Sequence, residues 1–125
     1  MPPDSGGTEN MMNKTEAMKL NKDFRRLYYR GKSFAGKYIV VYTLRNGRKG
    51  NRLGLTCGKT VGKAVARNRV KRLMRESYRL TENNIKPGND IVIVARSRSV
   101  YAKCPAVKKE FEYAAKKLGL YEKQD

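Results

Sequence analysis

The sequence contains no histidine and no tryptophan among its 125 residues. Without an imidazole, the chain has no Ser-His or Cys-His pair and no His-rich metal site. Acidic residues are scarce too, because 11 Asp and Glu stand against 29 Lys and Arg. The acids are scattered, and none cluster in a way that could hold two magnesium ions for phosphodiester cleavage. The residues alone indicate a binding protein rather than a self-sufficient catalyst.

Long apolar runs are missing as well, and no stretch approaches the roughly 18 residues of a membrane-spanning helix. The first twenty residues are mostly polar and lack the architecture of a signal peptide. Only two cysteines occur, Cys57 and Cys104, and they form neither a CxxC motif nor a disulfide framework. We therefore expect two buried or half-buried thiols in a cytoplasmic protein with no membrane partner.

Positive charge dominates what the sequence does contain. The formal net charge is +18, on a chain long enough for one domain with a modest core. Such a surplus repels itself in the compact state, so it predicts strong, salt-sensitive association with a polyanion. Nucleic acid is the first candidate for that partner.

Hydrophobic periodicity and turn residues predict an α+β fold in the order α-β-β-α-β-α, a small central sheet with helices packed on it. Gly54, inside a strand, indicates close approach by another element. The expected elements are helices at 22–30 and 63–80, strands at 38–44, 52–57 and 90–95, and a last helix that Pro105 begins and Gly119 ends.

The ends of the chain are expected to be tails around a single RNA-binding domain. Residues 1–19 are predicted to be a disordered tail, residues 20–119 the domain, and residues 120–125 a C-terminal tail. At the first helix, Asn21 is the expected N-cap and Gly31 the expected left-handed stop. A short connector then covers residues 32–36.

The helix at 63–80 combines an apolar stripe with crowded cations. At 100° per residue, one side collects Ala66, Val70, Leu73, Ser77 and Leu80 within about 40° of one direction. Glu76 is its only acid, which disfavours a solvated helix of intrahelical ion pairs, and arginine forks bind phosphate bidentately. The predicted RNA-binding side chains, with two from the preceding loop, are Lys59, Lys63, Arg67, Asn68, Arg69, Lys71, Arg72, Arg75 and Arg79.

These motifs resemble those of the bacterial ribonuclease P protein subunit family. The resemblance lies in RNRVKR at 67–72, its K-x-x-G-x-A-V lead at 59–65, and D-F-x-x-x-Y-x-x-G-x-S at 23–33. The likeness also includes the strand segments at 40–44 and 53–56 and covers about residues 20–118. Thr60 and Gly58 depart from the residues common in the family, a second lysine and a serine.

The resemblance implies a protein that assists a catalytic RNA, which removes the 5′ leader of precursor tRNA by magnesium-dependent hydrolysis. It implies docking on that RNA through the RNR helix and a cleft for the leader between the sheet and the first helix. Magnesium would act with the RNA, no organic cofactor or protein partner is required, and the protein supplies no catalytic residue. It also implies a left-handed βαβ crossover, against the usual right-handed rule.

Five side chains correspond to positions that line the leader cleft in similar proteins: Phe24, Tyr28, Val40, Tyr42 and Thr56. Base stacking on aromatics tolerates any sequence and contributes about 1–3 kcal/mol per base, which suits a variable leader. Phe24 fits a core position equally well, because aromatics at helical spacing are usually core.

Two other functions fit the same charge. A ribosomal or general structured-RNA-binding protein is the alternative reading, and a protein-only nuclease is a third. Asp23 and Asp90 look too isolated to form a metal site alone. Arg96 and Arg98 are expected to be solvated, and Tyr101 and Tyr113 to pack.

Overall fold

The computed structural model describes residues 15–123 as one five-stranded sheet with helices on both faces. The strands are β1 (Thr15–Ala17), β2 (Lys32–Ala35), β3 (Ile39–Arg45), β4 (Asn51–Thr56) and β5 (Asn89–Ala95). The helices are α1 (Asn21–Arg30), α2 (Ala64–Thr81) and α3 (Cys104–Lys117), with 3₁₀ turns at Glu82–Asn84 and Ser97–Tyr101. The predicted α+β class is confirmed, and β1 and β2 are two strands beyond the predicted order.

The strands lie in the order β1-β4-β5-β3-β2. The central strand, β5, pairs antiparallel with β3 and parallel with β4. Because α2 connects β4 to β5, these three elements form a parallel βαβ crossover, as the resemblance implies. The hand of this crossover stays a prediction.

Successive side chains of β5 point to opposite faces of the sheet and belong to two separate apolar clusters. Ile91 and Ile93 belong to the larger cluster, which α2 and α3 complete with residues such as Phe111. Val92 belongs to a small cluster on the opposite face, with Leu27 of α1. Since one ten-residue helix covers that second face, part of the sheet stays accessible beside it.

The buried stripe of α2 differs from the predicted one. The side chains that α2 buries are Val70, Met74, Ser77, Tyr78 and Thr81, whereas the predicted Leu80 is 46% exposed. The stripe is rotated by about 60° because α3 packs along that side of the helix. Tyr78 can be buried there because its hydroxyl forms a hydrogen bond with Thr15 Oγ1, at 2.7 Å. Burial raises the pKa of Tyr78 to about 12, although that hydrogen bond opposes the shift.

The predicted N-terminal tail is wrong for residues 15–19. Thr15–Ala17 form β1 on the free edge of β4, and Met18 is buried against α1. Thr15 Oγ1 also donates to Glu82 Oε2 at 2.7 Å. The edge of β4 offers unpaired backbone N–H and C=O groups to β1, and the local sequence pattern does not indicate this pairing. Residues 1–14 lie outside the described part of the chain.

The predicted C-terminal tail is also wrong for its first residues. Leu120 is 2% exposed in the main core, and Tyr121 forms a β-bridge with Ile85. Gly119 ends α3 as expected, with φ of 76°. The N–H of Leu120 donates to the Ala115 carbonyl and that of Gly119 to the Lys116 carbonyl, a Schellman motif that directs the chain back to the core. Residues 124–125 lie outside the described range.

The ends of α1 also differ from expectation. Asn21 lies inside the first turn rather than capping it, and no side chain caps the helix. Gly31 has φ of −76°, so it is not left-handed. A Cβ there would lie 2.6 Å from the Leu27 carbonyl oxygen and 2.7 Å from that of Thr43, so glycine is needed for close approach. The expected connector after it is β2, paired with β3.

Glu110 of α3 fixes the turn between β2 and β3. Its Oε2 accepts the backbone N–H groups of Tyr38 at 2.8 Å and Ile39 at 2.7 Å. Its Oε1 accepts the N–H of Lys37 at 2.9 Å. A Cβ on Gly36 would lie 2.5 Å from this carboxylate, so the turn closes over Glu110.

We predict that Glu110→Ala lowers the free energy of unfolding by about 2–3 kcal/mol, because three N–H groups lose an ionised acceptor. Urea denaturation measures the change. Glu112→Ala is the matched control, since it breaks a surface pair with Lys108 and should cost about 0.5 kcal/mol or less. Equal losses for both variants would contradict the assigned role of Glu110.

Candidate RNA-binding surfaces

The sheet face beside α1 has half-exposed side chains, and we call this surface, together with the adjoining side of α1, the cleft. Strand register places Val40 beside Val94 of β5, and Val94 beside Thr56. The Tyr28 hydroxyl lies 3.2 Å from Thr56 Oγ1. The rings of Tyr28 and Tyr42 meet edge to face, with centroids 4.9 Å apart. The structure thus brings these four predicted cleft residues together.

Phe24, the fifth predicted cleft residue, is half-buried at the edge of the small core. It packs against the cluster that contains Leu27 and Val92. A Cβ on Gly54 would lie 2.6 Å from the Phe24 ring, so the expected close approach at this glycine is confirmed. Tyr28 is 41% exposed, which leaves much of its ring free for a ligand.

A buried ion network anchors α1 at the other end of the same sheet face. Arg52 of β4 donates through Nε to Asp90 Oδ1 at 2.8 Å and through Nη2 to Asp90 Oδ2 at 2.6 Å. Its Nη1 donates to Asp23 Oδ2 of α1 at 3.2 Å. The Asn46 side chain adds a bond to Asp90 Oδ1 at 3.0 Å. One guanidinium therefore joins the helix to two strands.

The network keeps Asp90 ionised despite its complete burial. Burial alone would raise the pKa of Asp90, but the hydrogen bonds from Arg52 and Asn46 outweigh it, so the pKa lies below its usual range. Hydrogen bonding to Asp90 likewise raises the pKa of Arg52. Both groups are charged at any physiological pH.

The same geometry bears on metal binding. From their sequence positions, Asp23 and Asp90 were expected to be isolated carboxylates. In the structure both bind Arg52. A guanidinium between two carboxylates takes the place that a cation would occupy. Across residues 15–123, no three His, Cys, Asp or Glu side chains come together as a metal site. Within this range, the carboxylates of Asp23 and Asp90 are occupied by Arg52 instead.

The predicted RNA-binding side chains of α2 and its preceding loop differ in their exposure and in their partners. Those that are exposed and lack a side-chain partner within residues 15–123 are Lys59, Lys63, Asn68 and Arg72. Others are tied to the protein. Arg69 donates to the carbonyls of Val100 at 3.2 Å and Ala102 at 2.9 Å, and Arg79 pairs with Glu76. Lys71 and Arg75 are half-exposed, without such partners among those residues.

Arg67 lies at the start of the helix, close to the end of β4. Its Nε is buried and has no hydrogen-bond partner within the described chain. Burial raises the pKa of Cys57, while the charges of Lys71 and Arg67 act on the thiol in the opposite direction. Both cations therefore lie near the end of β4, where Thr56 borders the cleft. The start of the cationic helix therefore lies close to the strand that contributes Thr56 to the cleft.

Several site features were not predicted from the sequence. Val94 completes the floor of the cleft, and Arg52 anchors α1, which forms its wall. The sequence signal for Arg52 was a lone cation in an apolar strand. Arg96 was expected to be solvated but donates to the Gly36 carbonyl at 2.6 Å. Tyr101 was expected to pack but is 85% exposed. Tyr113 contacts the Phe34 ring, with centroids 5.4 Å apart.

None of the helices described in residues 15–123 has the length and apolar character needed to cross a bilayer. Fold and site together define a small basic α+β protein with an aromatic cleft beside a cationic helix. The sequence matches the Ribonuclease P family model over residues 12–119. The chain belongs to the ribonuclease P protein family.

Named relatives agree with this membership. The ribonuclease P protein component of Clostridioides difficile is 45% identical over 109 residues, covering 86% of this chain and 96% of that protein. The RNase P protein of Staphylococcus aureus superposes with a TM-score of 0.76 at 32% identity, covering 85% of this chain and 97% of the other. For the Thermotoga maritima protein the TM-score is 0.70 at 32% identity, with 77% and 91% covered.

We predict that Asp90→Asn lowers the free energy of unfolding by about 3 kcal/mol at neutral pH, because it leaves Arg52 without its main partner. The folded-state pKa of Asp90 is depressed, so its stabilisation is complete above the unfolded value of 3.8 and is lost as pH falls through the folded pKa. Denaturation across pH 7 to 2 should show the variant and parent converging in acid. A constant difference would contradict the assignment.

Proposed function

We propose that this chain is the protein subunit of ribonuclease P, which binds the catalytic RNA through α2 and the 5′ leader of precursor tRNA in the cleft. The observation that supports this most is the proximity of the cationic helix and the cleft residues at the end of β4. Arg67 and Lys71 lie near the end of β4, where Tyr28 and Thr56 form the cleft wall. One RNA assembly could therefore contact both surfaces at once.

The cleft has the side chains expected of a site that binds single-stranded RNA. Tyr28, Tyr42 and Phe24 offer aromatic faces, and stacking accepts any base. Val40 and Val94 give a smooth apolar floor between them. The network around Arg52 fixes α1, so the stacking rings are already placed before a leader arrives. Such preorganisation reduces the entropy lost on binding.

The α2 cations supply the phosphate contacts. Arg72 is exposed and has no ion pair with any residue of the described range 15–123, so binding breaks none. The exposed amide of Asn68 can add hydrogen bonds. Magnesium ions, acting with the catalytic RNA, supply the hydrolytic chemistry. This chain binds and orients the leader, and we place the complex in the cytoplasm. Leader removal would mature the 5′ end of tRNA.

Reconstitution tests the proposal. Adding the protein to its cognate catalytic RNA at low magnesium should raise both precursor tRNA affinity and cleavage. Arg72→Ala should weaken assembly about tenfold and lower the salt slope by about 1, because a phosphate contact is lost. Arg79→Ala is the control, with less than about a threefold effect, since Glu76 already offsets that charge.

Two results would overturn the proposal. One is cleavage that the protein leaves unchanged. The other is sedimentation of the protein with ribosomal particles instead of one small structured RNA, which would favour the general RNA-binding alternative. Hydrolysis by the purified chain without RNA would instead support a protein-only nuclease.

For the cleft, we predict that Tyr28→Ala weakens holoenzyme affinity for precursor tRNA about tenfold and leaves mature tRNA binding unchanged. The expected loss corresponds to about 1–2 kcal/mol for one stacked base. Filter binding with both tRNAs measures it. Tyr29→Ala is the matched control, because Tyr29 is the next residue and is 90% exposed. Equal loss for both tRNAs would count against a leader cleft.

A further inference from the structure

Strand β2 forms one edge of the sheet, and its outer side pairs with no strand among residues 15–123. The N–H of Gly36 donates to the Ile39 carbonyl at 2.8 Å, so these two residues form a hydrogen-bonded pair. Such pairs alternate along antiparallel strands, which means that the N–H and C=O groups of Ser33 and Ala35 point away from β3. Both residues are exposed. The edge therefore offers free backbone donors and acceptors to an added strand.

Beside this edge, Phe34 of β2 and Tyr113 of α3 form an aromatic pair. Phe34 is the register partner of Val41, which lies in the main core, so the Phe34 side chain is on the α3 face of the sheet. The rings of Phe34 and Tyr113 meet edge to face, with centroids 5.4 Å apart. Tyr113 is still 52% exposed. A side chain that an added strand places opposite Phe34 would therefore meet apolar surface.

A shallow groove of about 630 Å³ lies on α3 next to this pair, and its lining consists of Ala106, Lys109, Glu110, Glu112, Tyr113 and Lys116. Both acids are already bound, Glu110 by backbone N–H groups of the β2–β3 turn and Glu112 by Lys108. Lys109 and Lys116 are exposed and form no ion pair with any residue between 15 and 123. The charge left without a counterion in this groove is therefore positive.

Lys32 adds a further cation to the same side of the edge. It lies two residues before Phe34, so it projects from the same face of β2. A cation on an edge strand opposes pairing with a second copy of this chain, because each copy carries a net charge of +18. The same cation attracts a carboxylate. Charge complementarity thus favours an acidic strand as the occupant.

Two other occupants fit the site less well. RNA would stack a base on Tyr113, but the Lys117 ammonium already lies 5.4 Å from the centroid of that ring. The N-terminal segment of this chain joins the sheet at β1, the opposite edge. Its apolar residues Met11 and Met12 precede Thr15 by roughly 10–14 Å of extended chain, whereas four strand spacings measure roughly 19 Å.

We propose that the outer edge of β2, with the adjoining groove on α3, is a docking site for an extended acidic peptide of a partner protein. The peptide adds a strand to the sheet through hydrogen bonds to Ser33 and Ala35, a known mode of peptide recognition. One apolar side chain packs on Phe34 and Tyr113, and a carboxylate two residues away meets Lys32. A protein partner goes beyond the proposed function, which concerns RNA alone.

A short probe peptide tests the site on the full-length protein without RNA. The probe is acetyl-Glu-Thr-Leu-Thr-Glu-amide, whose sequence is the same in both directions and so suits parallel or antiparallel addition. NMR titration of the nitrogen-15-labelled protein should shift the amide signals of Ser33 and Ala35 and yields the affinity. The control peptide acetyl-Lys-Thr-Leu-Thr-Lys-amide should bind about tenfold more weakly, because its charges repel those of the site.

Two protein variants separate the backbone and charge contacts. Ala35→Pro removes an outward N–H but no hydrogen bond to β3, and it should weaken probe binding about fivefold. Ala35→Val, which keeps that N–H, is its matched control. Lys32→Gln/Lys109→Gln should weaken binding about threefold, whereas Lys49→Gln/Lys86→Gln removes the same charge elsewhere and should leave it unchanged.

The assignment fails if the acidic and basic probes bind equally, or if neither shifts the Ser33 and Ala35 amides. It also fails if Tyr113→Ala leaves probe binding unchanged but weakens affinity for the catalytic RNA about tenfold, since the groove would then bind RNA. Should Ala35→Pro melt at a lower temperature than Ala35→Val, a probe N-methylated at Thr, Leu and Thr decides. A fivefold loss, roughly, supports strand addition, and an unchanged affinity contradicts it.

Discussion

The contact of Arg52 with Asp90 and Asp23 is the constraint on which the rest of the structure depends. The Asp90 side chain is fully buried and would be unstable as an ion without a partner. Arg52 supplies that partner and extends to α1, while Asn46 connects Asp90 to the turn after β3. The network thus sets the position of the helix that forms one wall of the cleft and of the turn between β3 and β4.

The two faces of the sheet have different tasks. One face, under α2 and α3, contains most of the apolar core and stabilises the fold. The other carries only α1, and its small cluster leaves Tyr28 and Tyr42 accessible. The proposed leader cleft therefore lies on the under-packed face, and the charged network compensates for the limited apolar contact there. A larger core on this face would fill the space that a leader needs.

Cations on this protein are of two kinds. Arg52, Arg69 and Arg96 bind carboxylates or backbone carbonyls and hold the fold together. Lys59, Lys63 and Arg72 have no such partners among residues 15–123 and are available to phosphates. Composition counts both kinds alike, so a charge of +18 overstates what is free to bind RNA.

The sequence by itself determined the α+β class, the positions of the main elements and the motif that identifies the family, because periodicity and turn residues are local signals. It also named the aromatic cleft residues that the structure gathers, through the family resemblance. Only tertiary structure decided that Thr15–Ala17 pair with β4, that α2 buries Met74 and Tyr78, and which cations are free. Strand edges, helix rotation and guanidinium partners depend on residues distant in the chain, so no local pattern encodes them.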